Sequence, residues 1–129
     1  MLLWCSVLLS FPGCHVDRSF IFFPDTEIAA TPSVRGLRFT DLYLTTQDGV
    51  RINAWWVPHP TAETTLLWFH GNAGNVGDRV EQLRFLHDTL PVNILMMDYR
   101  GYGRSAGSPS EKGTYLDAEA IYDYARTQS

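Results

Sequence analysis

The sequence predicts an α/β protein in which an antiparallel hairpin leads into parallel strands with flanking helices. Two observations carry this prediction. Apolar residues alternate with a period of two along 42–45 and 50–56, which indicates a hairpin. Two short apolar runs, 64–69 and 92–97, each precede a helical pattern, which indicates strand–helix units. At 129 residues, 45% of them apolar, the chain fits one small globular domain or part of a larger one.

The hairpin is predicted from its turn as well as from its strands. Gln47, Asp48 and Gly49 separate the two alternating segments and have the Asp-Gly chemistry of a tight turn. The alternation predicts that the hairpin has one buried face, and the prolines at 58 and 60 end the second strand.

The later elements follow a strand–helix–strand–helix order. The run 64–69 is continuously apolar, as expected of a parallel strand covered on both faces. A helix is predicted over 76–90, with Asn75 or Asp78 available to cap its start, and 92–97 is a second buried strand. After a loop rich in glycine and serine, Ser110 can cap a last helix. The residues that share one face of this helix are Tyr115, Ala118, Tyr122 and Ala125.

The N-terminal residues 1–14 carry no charge, yet they fall short of the roughly 20 apolar residues that span a bilayer as a helix. They suit the apolar core of a secretory signal. The residues before Cys14 resemble a bacterial lipoprotein cleavage box, which makes Cys14 a lipidation candidate. We therefore predict a leader or anchor over 1–19, a folded portion over 20–129, and a membrane-anchored or exported location. A buried N-terminal segment, a signal-anchor end, a mis-assigned start codon and a cytoplasmic location are the alternatives.

Residues 15–39 are predicted to be irregular because prolines and a glycine interrupt them. Within this stretch, 20–23 form an apolar patch that needs a partner, either the folded domain or a membrane face.

Charge and cysteine content exclude several classes of protein. The net charge is −4 and the ten basic residues are scattered, which argues against a nucleic-acid surface. The two cysteines, Cys5 and Cys14, are too few for a disulfide framework or a structural zinc site. No metal and no cofactor are predicted.

The loop 70–77 is rich in glycine and begins a helix, a combination that suits any anion, whether a phosphate or the oxyanion of a reaction intermediate. Gly71, Gly74 and Gly77 match a variant of the dinucleotide-binding turn, and Asp98 lies at the spacing of the ribose-binding acid. Against that alternative, a full hairpin precedes the loop, and Asp98 opens a second glycine-rich loop instead of ending a ribose-binding strand.

Two segments, FHGNAGN at 69–75 and DYRGYGRS at 98–105, resemble in sequence and spacing two loops of the α/β-hydrolase fold. The likeness is to its serine-aminopeptidase-like branch, which includes many exported or lipid-anchored bacterial members. It covers about residues 20–127 and includes four flanking pieces, at 46–49, 54–56, 108–111 and 117–119. The resemblance implies that the predicted sheet is an incomplete α/β-hydrolase sheet.

The resemblance implies a serine hydrolase acting on an ester, thioester or amide in a small-molecule or peptide substrate. In that family a backbone N–H just after the His-Gly pair, here that of Asn72 or Ala73, supplies half of the oxyanion hole. The residues that the resemblance implies as loop supports, and not as catalysts, are His70, Gly71, Gly74, Asp98, Arg100 and Arg104.

Gly103 to Gly107 match the GxSxG nucleophile pattern around Ser105. A nucleophile elbow lies directly between a strand and a helix, whereas loop residues flank Ser105 on both sides, so we do not expect it to be the nucleophile. The family's serine, acid and histidine are expected after Ser129, which makes this chain an inactive N-terminal fragment. A non-catalytic, membrane-tethered binding protein is the alternative. Without a neighbour for strand 64–69, we expect the chain alone to be aggregation-prone or molten.

Overall fold

The computed structural model describes residues 18–128 of the chain. After a short N-terminal segment, a β-hairpin leads into a strand–helix–strand–helix region. The elements in chain order are α1 (Arg18–Ile21), β1 (Phe23–Pro24), a 3-10 turn (Pro32–Arg35), β2 (Thr40–Thr45), β3 (Arg51–Val57), β4 (Thr65–Phe69), β5 (Ala73–Gly74), a second 3-10 turn (Val76–Arg79), α2 (Val80–Thr89), β6 (Asn93–Met97) and α3 (Glu111–Arg126).

The main sheet has four strands in the order β2-β3-β6-β4. β2 pairs with β3 and β3 pairs with β6 in antiparallel fashion, whereas β4 and β6 are parallel and are joined through α2. The predicted α/β class, with a hairpin ahead of parallel strands, is confirmed. The two-residue parallel pair β1–β5 was not predicted, because strands of two residues show no periodicity.

The hairpin forms at the predicted residues, but its second strand is more deeply buried than the alternation indicates. Gly49 in the turn has a φ of 82°, a conformation that glycine adopts without strain. Ile52, Asn53, Ala54 and Trp55 are all fully buried, so the prediction of one buried face is wrong for β3. The reason is its position as an inner strand, which is covered by a layer on each side of the sheet.

The core lies in two layers, one on each face of the sheet. On one face Trp55 and Met96 pack with Val80 and Leu83 of the α2 side. On the other face, the next residues along the same strands, such as Ala54 and Met97, pack around Ile121 of α3. Successive strand side chains point to opposite faces, so one pair of inner strands serves both layers.

Both candidate caps of the first helical segment are used. The Asn75 side chain accepts from the Gly77 N–H at 2.8 Å, and Asp78 accepts from the Asn75 N–H at 2.9 Å. A 3-10 turn therefore comes first, and the α-helix begins at Val80. Ser110 caps α3 as predicted, accepting from the Gly113 N–H at 3.1 Å.

The face of α3 that packs inward is not the face marked by its tyrosines. Gly113, Asp117 and Ile121 are buried, whereas Tyr115 and Tyr122 are 62% and 55% exposed. The Arg100 side chain lies against the first two turns of α3, where it lies next to Gly113 and bonds Asp117. This polar contact orients the helix, and the spacing of apolar residues in the sequence does not reveal it.

β4 lies at one edge of the sheet and is only partly buried, with Phe69 41% exposed. Leu66 and Trp68 pack in one core layer and Leu67 in the other, so the predicted cover on both faces is present but incomplete. The Asn93 N–H donates to the Thr64 carbonyl at 2.9 Å, so the parallel pattern turns the backbone groups of Thr65 and Leu67 away from β6. In the described part of the chain no strand accepts them.

We predict that this free edge makes residues 1–129 aggregation-prone, and that the chain unfolds in urea without a cooperative transition. Thr65→Pro should raise the soluble monomer fraction, because proline removes an edge donor and is tolerated at the first residue of a strand. Size-exclusion chromatography and urea unfolding followed by circular dichroism measure both effects. A single cooperative transition of a monomer would contradict the prediction.

Candidate functional site

The candidate site lies where two neighbouring strands end. β4 and β6 run parallel, with Phe69 opposite Met97, so the residues that follow them emerge at the same edge of the sheet. His70 follows β4 and Asp98 follows β6. In open α/β sheets ligands bind outside the carboxyl ends of the strands. The two loops that carry the sequence resemblance therefore meet at a place suited to binding.

His70 braces its own loop from a buried position. Its Nδ1 lies 2.6 Å from the Gly71 carbonyl, and because a carbonyl only accepts, Nδ1 donates in this contact. Its Nε2 lies 3.3 Å from Asp98 Oδ1, and both side chains are fully buried. The ring also meets Tyr99 and Tyr102 edge-on, at centroid distances of 5.0 and 5.5 Å. Both ring nitrogens lie against protein groups, so the ring braces the loop and is not placed as a general base.

Asp98 joins the two loops to the sheet. Its Oδ1 accepts from the Val76 N–H at 2.9 Å, and its own N–H donates to the Asn53 carbonyl at 3.0 Å. Gly103 has a φ of 49°, and a Cβ there would overlap Asp98 Oδ2. The carboxylate is therefore enclosed by protein atoms. It cannot reach a ribose hydroxyl, which removes the main support for the dinucleotide-binding alternative.

The residues predicted to carry the oxyanion donors are held from several sides. The Asn72 carbonyl accepts from the Tyr102 hydroxyl at 2.8 Å and from the Phe23 N–H at 2.9 Å. The Asn72 side-chain amide donates to the Ile21 carbonyl at 2.5 Å. Ala73 lies in β5, opposite Phe23. Among residues 18–128, no hydrogen bond is donated by the Asn72 N–H.

The glycines of this loop differ in what they require. Gly74 has a φ of 74°, and a Cβ at that position would overlap the Asp78 carboxylate, so a side chain would displace the helix cap. A Cβ on Gly71 would meet nothing within 4 Å, so space does not restrict that position. Gly74 is therefore the glycine that fixes the loop shape.

The Ser105 hydroxyl makes two hydrogen bonds to the backbone and has a structural role. Its Oγ donates to the Asp98 carbonyl at 2.7 Å and accepts from the Asn53 N–H at 2.8 Å. The residue is 9% exposed. It lies within the loop between β6 and α3 and fastens that loop to β3. The neighbouring Arg104 bonds Asp41 of the hairpin at 2.8 Å.

Arg100 ties three segments together. It donates to both Asp48 oxygens, at 2.8 and 3.0 Å, and through Nε to Asp117 at 3.0 Å. These bonds, with one from Thr46, hold the pKa of Asp48 well below its usual range. The bonds to Asp48 and Asp117 in turn raise the pKa of Arg100. The arrangement braces the hairpin turn against α3 and does not reach a ligand.

A cavity of about 200 Å³ adjoins the loop 70–75. Burial raises the pKa of Tyr99 and of Tyr102, which keeps both hydroxyls protonated as donors. Sequence reasoning assigned no role to these tyrosines, although both lie within the DYRGYGRS segment. The residues that line the cavity are Phe22, His70, Asn72, Tyr99, Tyr102 and Thr114.

The predictions of lipidation and of membrane attachment concern the N-terminal residues, not the candidate site. The lipidation candidate Cys14 lies outside the described residues. Among the helices of residues 18–128, none has the length and apolar content needed to cross a bilayer.

Known proteins resemble this chain in sequence and in fold, although no protein-family model matches it. The α/β-hydrolase domain-containing protein WAV2 of Arabidopsis thaliana is 41% identical over 96 residues, which are 73% of this chain and 31% of that protein. A Saccharomyces cerevisiae protein named as an uncharacterized membrane protein is 36% identical over 99 residues, 77% of this chain and 35% of that protein. The esterase Pf2001 of Pyrococcus furiosus superimposes with a TM-score of 0.68 at 24% identity, over 79% of this chain and 41% of that one.

These relatives and the fold agree with the two loop motifs: the chain is similar to the N-terminal portion of α/β-hydrolase fold proteins. It spans about a third of the length of the curated relatives named above, 31% and 35%. This coverage is consistent with the predicted N-terminal portion of such a protein.

We predict that the Tyr102 hydroxyl holds the loop 70–75 in place. Tyr102→Phe should speed amide exchange of that loop about 2- to 10-fold, as expected for the loss of one hydrogen bond. Hydrogen–deuterium exchange measures this, with β3 amides of the same sample as the internal reference. Tyr115→Phe, at a tyrosine that is 62% exposed, is the matched control. Equal effects of both substitutions would contradict a specific role for Tyr102.

Proposed function

We propose that this chain supplies the oxyanion-hole side of a serine hydrolase that cleaves an ester, thioester or amide bond in a small-molecule or peptide substrate. The backbone N–H of Asn72 or Ala73 donates to the oxygen that becomes negative in the tetrahedral intermediate. One such donor is typically worth about 100- to 1,000-fold in rate. The esterase with the same fold supports hydrolysis as the reaction class.

The observation that carries this proposal is the way in which the Asn72 peptide is held. Tyr102 and Phe23 both donate to its carbonyl, and its side chain donates to Ile21, so the loop is fixed before any substrate arrives. Donors stabilise a developing charge most when they need no reorganisation at the moment of reaction. A fixed loop at the carboxyl end of β4 meets that requirement.

In this proposal the nucleophile is not among residues 1–129. Ser105 has the right pattern around it, but its hydroxyl donates to one backbone group and accepts from another. His70 faces Asp98 in a buried contact and is not placed as a general base. In α/β-hydrolases the acid and the histidine follow the serine along the chain, so all three belong to a later portion.

We predict that residues 1–129 hydrolyse no p-nitrophenyl ester and do not react with a fluorophosphonate probe. The physical reason is that no serine hydroxyl is paired with a base in the part of the chain that the structure describes. In-gel fluorescence after probe treatment measures labelling, and a complete α/β-hydrolase serves as the positive control. Labelling that disappears in Ser105→Ala would overturn the assignment of Ser105 as a structural residue.

We further propose that residues 1–14 attach the protein to a membrane or direct its export, with lipidation at Cys14. The support is the absence of charge along these residues and the small residue, Gly13, before the cysteine. One relative is named as a membrane protein.

Fractionation of cells that express the full chain tests this location. We expect the chain in the membrane or exported fraction, and we expect Cys14→Ser to block maturation. Cys5→Ser is the matched control, since a lipoprotein signal uses only the cysteine at the cleavage site. A wholly cytosolic pool with an intact N-terminus would refute the proposal.

A further inference from the structure

The segment next to the oxyanion loop exposes large apolar side chains. Phe20, Ile21 and Phe23 are 74%, 49% and 53% exposed. Phe22, between them, turns inward and lines the cavity beside His70. Three large exposed apolar side chains within four residues are typical of a segment that contacts a partner or a membrane.

This apolar patch, defined as Phe20, Ile21 and Phe23, is fastened to the loop 70–75. The Phe23 N–H donates to the Asn72 carbonyl at 2.9 Å, and the Asn72 side chain donates to the Ile21 carbonyl at 2.5 Å. Strand β1, which contains Phe23, pairs with β5, which contains Ala73. Whatever surface receives the patch therefore lies beside the predicted oxyanion donors.

Two features of the chain indicate what that surface is. The uncharged residues 1–14 come only a few positions before the patch in sequence, so an apolar phase that takes up one lies within reach of the other. Phenylalanine and other large apolar side chains of interfacial segments are buried at the boundary between headgroups and acyl chains. The exposed carboxylates of Asp25 and Glu27 follow directly, which disfavours a strongly anionic surface.

We propose that Phe20, Ile21 and Phe23 insert into the headgroup–acyl boundary of a zwitterionic lipid bilayer, and thereby place the loop 70–75 at the membrane surface. This contact is separate from the anchor proposed for residues 1–14, since it belongs to the folded part of the chain. It requires no catalytic activity, so it stands or falls independently of the proposed hydrolysis.

The test measures partitioning of the full chain onto phosphatidylcholine vesicles by co-sedimentation. The patch variant is Phe20→Ser, Ile21→Ser and Phe23→Ser combined. The matched control replaces three other exposed apolar residues with serine. These are Val34, Phe85 and Tyr115, which are 57%, 67% and 62% exposed.

The patch variant should lower the partition coefficient about 30- to 100-fold, since each of the three exposed apolar side chains contributes a factor of about 3 to 5 when it leaves water. The control variant should change it less than about 3-fold, because its residues lie away from the patch. Residues 1–14 are present in both variants, so their contribution to binding cancels in the comparison. An equal loss in both variants, which indicates non-specific adhesion of a partly unfolded chain, would overturn the proposal, as would no loss in either.

Amide exchange of the unsubstituted chain gives a second readout that needs no variant. Residues 20–23 should exchange more slowly when phosphatidylcholine vesicles are added, while amides near Phe85 should not change. Unchanged exchange at both places would overturn the proposal.

Discussion

The contacts of Asp98 are the constraint on which the candidate site depends. Its carboxylate holds the start of the 70–77 loop's helix through the Val76 N–H and lies against His70. Its backbone N–H and carbonyl hold Asn53 and Ser105. A buried carboxyl group is costly unless its oxygens find partners, which favours the arrangement in which Oδ1 accepts from the Val76 N–H. Oδ2 has no hydrogen-bond partner among the described residues, so Oδ1 and the Asp98 backbone make the connections. The two glycine-rich loops are thereby fixed against each other and against the sheet.

A second polar cluster fixes the frame around those loops. Arg100 joins the hairpin turn at Asp48 to Asp117 on α3, and its side chain is 7% exposed. Gly113 leaves the space that the arginine occupies, since a Cβ there would overlap its side chain. Salt bridges at a surface contribute little, whereas one that is mostly buried and bidentate fixes geometry. The turn, the loop and the helix therefore depend on one side chain.

The chemistry proposed for the chain follows from this division of labour. The charged side chains near the two loops stabilise the loop structure, because Asp98, Arg100 and Arg104 each bond protein groups. What remains for a ligand is backbone, at Asn72 and Ala73, with a small aromatic cavity beside it. A site built from backbone donors can stabilise an oxyanion but cannot itself attack a carbonyl. The same loop is joined to the exposed apolar segment 20–23, which links the proposed donors to the proposed membrane surface.

The sequence by itself determined the α/β class, the hairpin, the two parallel strands, the caps at Asn75 and Ser110, and the two loop motifs that carry the resemblance to α/β-hydrolases. These features are local, because periodicity, turn chemistry and capping act within a few residues. Only the tertiary structure decided that β3 is buried on both faces, that α3 turns Tyr115 and Tyr122 outward, and that Tyr102 and Phe23 hold Asn72. Each of these depends on partners far apart in the chain, 30 residues for Tyr102 and Asn72 and 17 for Arg100 and Asp117. No pattern within one segment carries that information, because such contacts exist only once the sheet has brought the segments together.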